Sequence, residues 1–209
     1  MTGSTASVAA LLQAFRAGDG EAGDRLLRRF MPWLRLRARL QWGSQLRAKL
    51  DPSDVAQQTL LEAVRAFPQF RGDTEPQFMA WLQQILARTL AHEVRRYAGT
   101  QKRDVAREVS FEQAWSRSSQ RLGDMLAATG TSPSQRMVRR EQEVLLAGVL
   151  ERLPEDYREV IILRHLEGMS HDEVAARLGR KPGAVRMLWV RALARLRQEV
   201  EQARQAGSV

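Results

Sequence analysis

Residues 170–197, SHDEVAARLGRKPGAVRMLWVRALARLR, constrain the fold of this chain more than any other stretch. The pattern is that of two helices joined by a tight turn. Val174 and Leu178 give the first helix an apolar face, and Ala175 is small enough to let a second helix cross closely. Ser170 followed by Glu173 forms a capping box at its start. Gly179 falls where the chain must leave that helix, a position that favours left-handed backbone. Val185, Leu188, Leu193 and Leu196 make the inward stripe of the second helix. A helix-turn-helix is predicted. Between Arg177 and Arg197 there are seven Arg or Lys residues and no acid. An ordinary helical hairpin with a solvated basic face has the same apolar spacing. The concentration of positive charge on one helix favours a surface that lies against phosphate and base edges.

The same sign of charge runs through the whole chain. Its 209 residues carry 33 basic against 24 acidic groups, a formal net charge of +9, almost all of it arginine. A guanidinium fork matches phosphate and guanine edges, so the balance favours a polyanionic partner, although a coding bias toward arginine produces it too. At 44% apolar residues the chain can bury a core. Cysteine is absent, which excludes disulfides, thiolate zinc sites and cysteine nucleophiles. The first residues carry no basic segment followed by a long apolar core, and no run approaches the roughly 20 apolar residues of a spanning helix. The chain is expected to be cytoplasmic, with no membrane insertion.

Elsewhere helical periodicity dominates and strand-like alternation is missing. Helices are predicted over about 7–17 and 22–40, the second kinked or broken at Pro32. Eight basic residues and no acid lie between Arg25 and Lys49, which by default is a solvated face. Asp51-Pro52-Ser53-Asp54 is a strong helix start, with Asp51 as cap and Pro52 in the first turn. That helix runs to Phe67. PQFRGDTEPQ, residues 68–77, is predicted to be loop without regular structure, and a long helix follows from Pro76 to Tyr97. Residues 99–135 are rich in Ser, Thr, Gly and Gln and are read as a flexible linker with one short helix near 111–115. Further helices are predicted from Met137 to Leu153 and from Glu155 to Leu166, the break falling at Leu153-Pro154. The expectation is an all-α protein of two small helical domains, 1–98 and 136–209, joined by that linker. Residues 155–173 hold six acids against two arginines, so the second domain is acidic before it turns basic.

In order and spacing these motifs resemble a bacterial RNA polymerase sigma factor of the extracytoplasmic-function group. DPSDVAQQTLLEAVRAF is similar to the family helix that docks on the clamp of the polymerase β′ subunit. FRGDTEPQFMAWLQQI is similar to the loop and helix that capture the melted minus-ten element. LERLPEDYREVIILRHLEGMSHDEVAARLGRKPGAVRMLWVRALARLR is similar to the region that reads the minus-thirty-five element. The resemblance implies a promoter-specificity subunit of the core polymerase, contacting β′ and β, with promoter DNA as ligand and an anti-sigma factor as a regulator. For polymerase binding it points to Asp54, Gln57, Gln58 and Leu61. Gln58 stands where the family often has an acid.

Holding a flipped base requires a pocket with polar edges and an apolar floor. Arg71, Asp73 and Thr74, backed by Phe78 and Trp81, offer those ingredients, although both aromatics also fit a plain core. Arg88 is a further candidate for minus-ten DNA, and Arg95 and Arg96, farther along the same helix, are candidates for phosphates of the upstream duplex or form a solvated helix end. Arg88 and His92 depart from the Asn and Asp common in the family. His92 has no second ligand at metal spacing. For the minus-thirty-five element the candidates are Arg180, Lys181, Arg186, Met187, Val190, Arg191 and Arg195, with Arg186 the base reader and Arg191 and Arg195 on phosphates. No phosphate-cradling glycine loop or nucleophile–base motif is present, so the chain is read as no enzyme, requiring neither cofactor nor metal. The rival reading is a stand-alone helix-turn-helix regulator with an N-terminal sensor or dimerisation domain. The docking helix followed by FRGD and the Trp helix has no place in such a sensor.

Overall fold

The computed structural model describes residues 6–41, 51–98 and 135–207, all of them in helices, helical turns and short connections. The chain divides into two compact units, Met1–Asp104 and Val105–Val209. Residues 99–134, which hold the expected linker and its short helix, lie outside the described residues, as do Arg47 and Lys49.

The first unit is built from α1 (Val8–Arg16), α2 (Gly20–Gln41), α3 (Pro52–Ala66) and α4 (Glu75–Ala98), each packed against the next in the chain. Pro32 sits inside α2 and the helix continues through it. A proline inside a helix costs about 3 kcal/mol. Its neighbours Phe30, Trp33 and Leu34 are fully buried, and each such burial returns about 1.5–3 kcal/mol. Tertiary packing therefore outweighs the local penalty, and no break occurs. The expected solvated basic face forms only in part: Arg25 and Arg28 are exposed, but other cations of the run are engaged. Arg37 is buried, its guanidinium 5.2 Å from the Trp33 ring centroid, and Arg29 donates to Glu75 at 3.1 Å.

α3 starts as the sequence predicts: Asp51 accepts from the Ser53 amide at 2.7 Å and Pro52 opens the helix. The 68–77 segment is more regular than expected. A single tight turn covers Phe67–Gln69, and α4 begins at Glu75, ahead of Pro76. Thr74 and Gln77 explain the early start. The Gln77 side chain accepts from the amides of Asp73 (2.9 Å) and Thr74 (3.2 Å), while Thr74 Oγ1 accepts from the Gln77 amide at 3.4 Å. This is a capping box, and a proline in the first helical turn gives up an amide that had no partner there.

The second unit is built from α5 (Gln135–Arg152), α6 (Glu155–Ile161), a wider π turn over Ile162–Leu166, α7 (His171–Leu178) and α8 (Pro182–Gly207). α5, α6 and α7 all pack on α8. α7 and α8 form the predicted hairpin, with both halves of the Ser170–Glu173 capping box made. Gly179 takes φ +62°, the left-handed conformation that ends α7. Val174, Ala175, Val185, Ala192, Leu193 and Leu196 are buried between the helices, and Leu188 is half-buried.

Candidate polymerase and nucleic-acid interfaces

Among the described residues, the exposed large apolar side chains are four, and they fall in two pairs. Leu61 and Val64 lie on α3, 54% and 41% exposed, and Met187 and Val190 lie on α8, 55% and 53% exposed. Both pairs have i, i+3 spacing, so each pair shares one helix face. Burying one such side chain is worth about 1.5–3 kcal/mol, which folding has left unused at these four positions.

On α3, the inward side is Val55, Ala56, Thr59, Leu60 and Ala63. Asp54, Gln57 and Gln58 are exposed, with Leu61, on the other side. Around Leu61 and Val64 the charges meet internally: Gln58 Nε2 donates to Glu62 at 3.1 Å, and Arg65 pairs with Glu62 at 2.8 Å, while Asp54 stands exposed at the start of the helix. The surface is mostly neutral, polar and apolar.

The segment leading into α4 is held in one conformation. Arg16, reaching from α1, pairs with Asp73 at 2.5 Å and also donates to the Gly72 carbonyl. Arg71 donates to the Pro68 carbonyl at 2.8 Å. A Cβ on Gly72 would lie 2.6 Å from the Phe70 ring and 2.8 Å from Gln77 Cβ, so only glycine fits. Under the loop, Trp81 stacks on Phe70 with centroids 4.7 Å apart and touches Phe78 and Phe67 at their rings. Trp81 is half-buried and Phe78 fully buried, so the aromatics form the floor. Arg71, Asp73 and Thr74 are exposed, but Asp73 is already paired and Thr74 caps α4. Farther along α4, Arg88 is exposed and Arg96 pairs with Glu93 at 3.6 Å. The side chain of Arg95 lies outside the described residues. His92 is exposed, its Nδ1 3.5 Å from Glu93. Among the described residues no group of three His, Asp or Glu is placed to hold a metal ion.

On α8 the outward face carries Arg186, Met187, Val190 and Arg191, all exposed. Lys181 is exposed just ahead of the helix. Arg186 and Arg191 form no ion pair among the described residues. Arg180 and Arg195 differ. Arg180 pairs with Asp156 at 2.6 Å, tying the hairpin turn to the start of α6, and Arg195 pairs with Glu199 at 2.7 Å one turn along.

What fixes the face of α8 was not legible in the sequence. Trp189 Nε1 donates to His165 Nε2 at 2.9 Å, and the two rings lie nearly parallel with centroids 5.7 Å apart. His171 meets Trp189 edge-on at 5.5 Å. His165 comes from the π turn, whose wider coil ends with the Glu167 amide bonded to the Ile162 carbonyl. Arg164 of the same turn donates to the Met169 carbonyl and closes the loop into α7. Burial, with Arg164 and then His171 nearby, holds His165 below its ordinary pKa of 6.5. Burial, with Arg164 and Arg186, lowers His171 as well, against a smaller opposing effect of Asp172. His165 is therefore neutral at neutral pH, the state in which Nε2 can accept.

No helix among the described residues is long and apolar enough to cross a membrane. Residues 143–196 match the family described as Sigma-70, region 4. ECF RNA polymerase sigma factor SigD of Mycobacterium tuberculosis is 32% identical over 184 residues, 88% of this chain and 79% of that protein. RNA polymerase sigma-H factor of Pseudomonas aeruginosa is 31% identical over 180 residues, 84% of each chain. The solved structure "Structure of CnrH in complex with the cytosolic domain of CnrY" aligns at 23% identity over 94% of this chain and 99% of that one, with a TM-score of 0.33, too low to bear on the fold. Identity of this level, sustained along most of the chain and joined to a matching region 4, means that the protein belongs to the extracytoplasmic-function RNA polymerase sigma factors.

Proposed function

We propose that this sigma factor divides its work between two exposed helix faces. The α3 face, with Asp54, Gln57, Gln58, Leu61 and Val64, docks on the β′ clamp of core polymerase. The α8 face, with Lys181, Arg186, Met187, Val190 and Arg191, enters the major groove of the minus-thirty-five element. The observation that carries this division is the pairing of the exposed apolar side chains, one pair on each face. An apolar pair beside two amides and a single carboxylate suits a protein surface, and one between guanidiniums that have no ion pair among the described residues suits a nucleic acid.

The preformed 70–77 loop takes the displaced strand of the minus-ten element. Its backbone is already held by Arg16, Gln77 and Thr74, so little ordering entropy remains to be lost when a base arrives. Arg71 and Thr74 are the groups presented to a base, over a floor of Phe70 and Trp81. Arg88, Arg95 and Arg96 lie along α4 toward the upstream duplex. Asp73 is a clamp for the loop through Arg16, and Arg180 a brace for the hairpin through Asp156. The polymerase performs the chemistry, in the cytoplasm, and the chain supplies position alone.

Site-specific photo-crosslinking in the reconstituted holoenzyme on promoter DNA tests the division. A photoreactive side chain at position 61 should label β′ and no DNA. One at position 190 should label DNA of the upstream element and no polymerase subunit. Labels exchanged between the two positions would overturn it.

A further inference from the structure

Met187 and Val190 pose a problem that charge does not answer. They are more than half exposed on a helix whose buried side is well supplied by Val185, Ala192, Leu193 and Leu196. A helix selected only for electrostatic seating would fill those outward positions with polar side chains. Instead Arg186 stands one turn before Val190, and Arg191 one turn after Met187. The two apolar side chains are thus bracketed by exposed guanidiniums with no ion pair among the described residues. No acid occurs between Arg177 and Arg197, so the face complements an anionic partner. The partner must nevertheless offer apolar points within an anionic surface. On the base edges of the major groove there is one such group, the 5-methyl of thymine.

We propose that Met187 and Val190 are thymine readers, each packing on a thymine 5-methyl in the upstream promoter element. This rests on the reading that α8 enters the major groove there. Three residues along a helix advance about 4.5 Å, against about 3.4 Å between successive base pairs. On one helix face and this close together, the two side chains can reach neighbouring pairs. Their chemistry differs. Valine, branched at Cβ, has one stiff rotamer in a helix and tolerates little displacement of the methyl. Methionine is unbranched and adapts to what it meets. Val190 sets a sharp preference for thymine and Met187 a broad one.

Deoxyuridine pairs as thymidine does and lacks only the methyl, which makes it the probe. The full chain, reconstituted with core polymerase, is first used to select an upstream element from a randomised duplex pool. The selected duplex is then rebuilt with deoxyuridine in place of thymidine, one position at a time. Removing a buried methyl should weaken wild-type binding about four-fold at each of two neighbouring positions. Val190→Ala should abolish that sensitivity at one of them, and Met187→Ala at the other. Equal binding of thymidine and deoxyuridine duplexes by the wild type, with Arg186→Ala still changing the selected sequence, would overturn the thymine reading and leave the recognition helix standing. Methyl sensitivity that survives in the double variant would also overturn it. Loss of upstream selectivity altogether, with Arg186→Ala silent, would instead overturn the placement of α8 in the groove.

Discussion

The faces of α3 and α8 share an apolar pair at the same spacing and differ in what surrounds it. Around Leu61 and Val64 the charges cancel at short range, with Glu62 engaged by both Gln58 and Arg65. Around Met187 and Val190 the nearest guanidiniums, Arg186 and Arg191, are left without acidic partners among the described residues. Apolar side chains grouped on one exposed helix face form a surface that a partner can cover. The state of the neighbouring charges indicates which kind. Paired charges contribute little to attraction at long range, so the α3 face depends on contact and shape. Unpaired ones attract a polyanion from a distance and make its binding sensitive to salt.

The strongest test of that contrast is a charge placed on the α3 face. Leu61→Glu should weaken binding to core polymerase by at least about 30-fold, the scale of a hot-spot residue. Leu61 is exposed, so folding should be nearly unchanged. Binding of an upstream duplex by the free chain should be untouched. Titration of the chain with core enzyme, and separately with duplex, measures both. A parallel fall in the two affinities would break the comparison, because the faces would then not be independent.

A second test uses pH, since two of the three histidines of the chain surround Trp189 and the third, His92, is exposed on α4. The folded-state pKa of His165 and of His171 is lowered, so the unfolded chain binds more protons just below pH 6.5. Stability from these groups is complete above about pH 6.5 and is lost as pH falls from there through the folded values. Protonated Nε2 of His165 cannot accept from Trp189. Calorimetry of the full chain at pH 7.5 and 5.5 should show the second unit losing stability on acidification. His165→Gln, which keeps an acceptor and does not titrate, should lose less. Equal losses in wild type and variant would remove His165 as the cause.

The two faces also differ in how much the sequence discloses about what holds them. Asp51, Ser170, Glu173 and Gly179 act within three or four residues of themselves, so spacing alone revealed their roles. Thr74 and Gln77 give the same local signal, and the helix predicted from about Pro76 starts one residue ahead of it, at Glu75. The long-range partners left no local trace. Arg16 meets Asp73 across 57 positions, Arg29 meets Glu75 across 46, and His165 meets Trp189 across 24. Arg37 read as one more cation on a solvated face because burial of a guanidinium depends on Trp33 beside it and on how α2 packs. Periodicity shows which way a side chain points. It does not show whether an outward charge will be met, and that decides whether Asp73 and Arg180 are ligands or clamps.

The smallest expected effect lies between two arginines of the same helix. Arg191 and Arg195 are both exposed and one turn apart, and the sequence predicts a phosphate contact for each. Arg195 is engaged by Glu199 at 2.7 Å, and Arg152 approaches the same carboxylate at 3.7 Å. To reach a phosphate Arg195 must leave that carboxylate, and an exposed ion pair is worth about 0–1 kcal/mol. Part of its gain on DNA is thereby cancelled, whereas Arg191 has no such competitor among the described residues. Arg191→Ala should therefore lower duplex affinity uniformly across sequences and reduce the salt slope by about one. Arg195→Ala should do the same in kind but by less. Glu199→Gln should release Arg195 and bring its contribution up to that of Arg191. Duplex binding measured across salt concentrations for the three variants separates the cases. If Arg195→Ala costs as much as Arg191→Ala, the Glu199 pair does not restrain it, and charge pairing would no longer distinguish one helix face from the other.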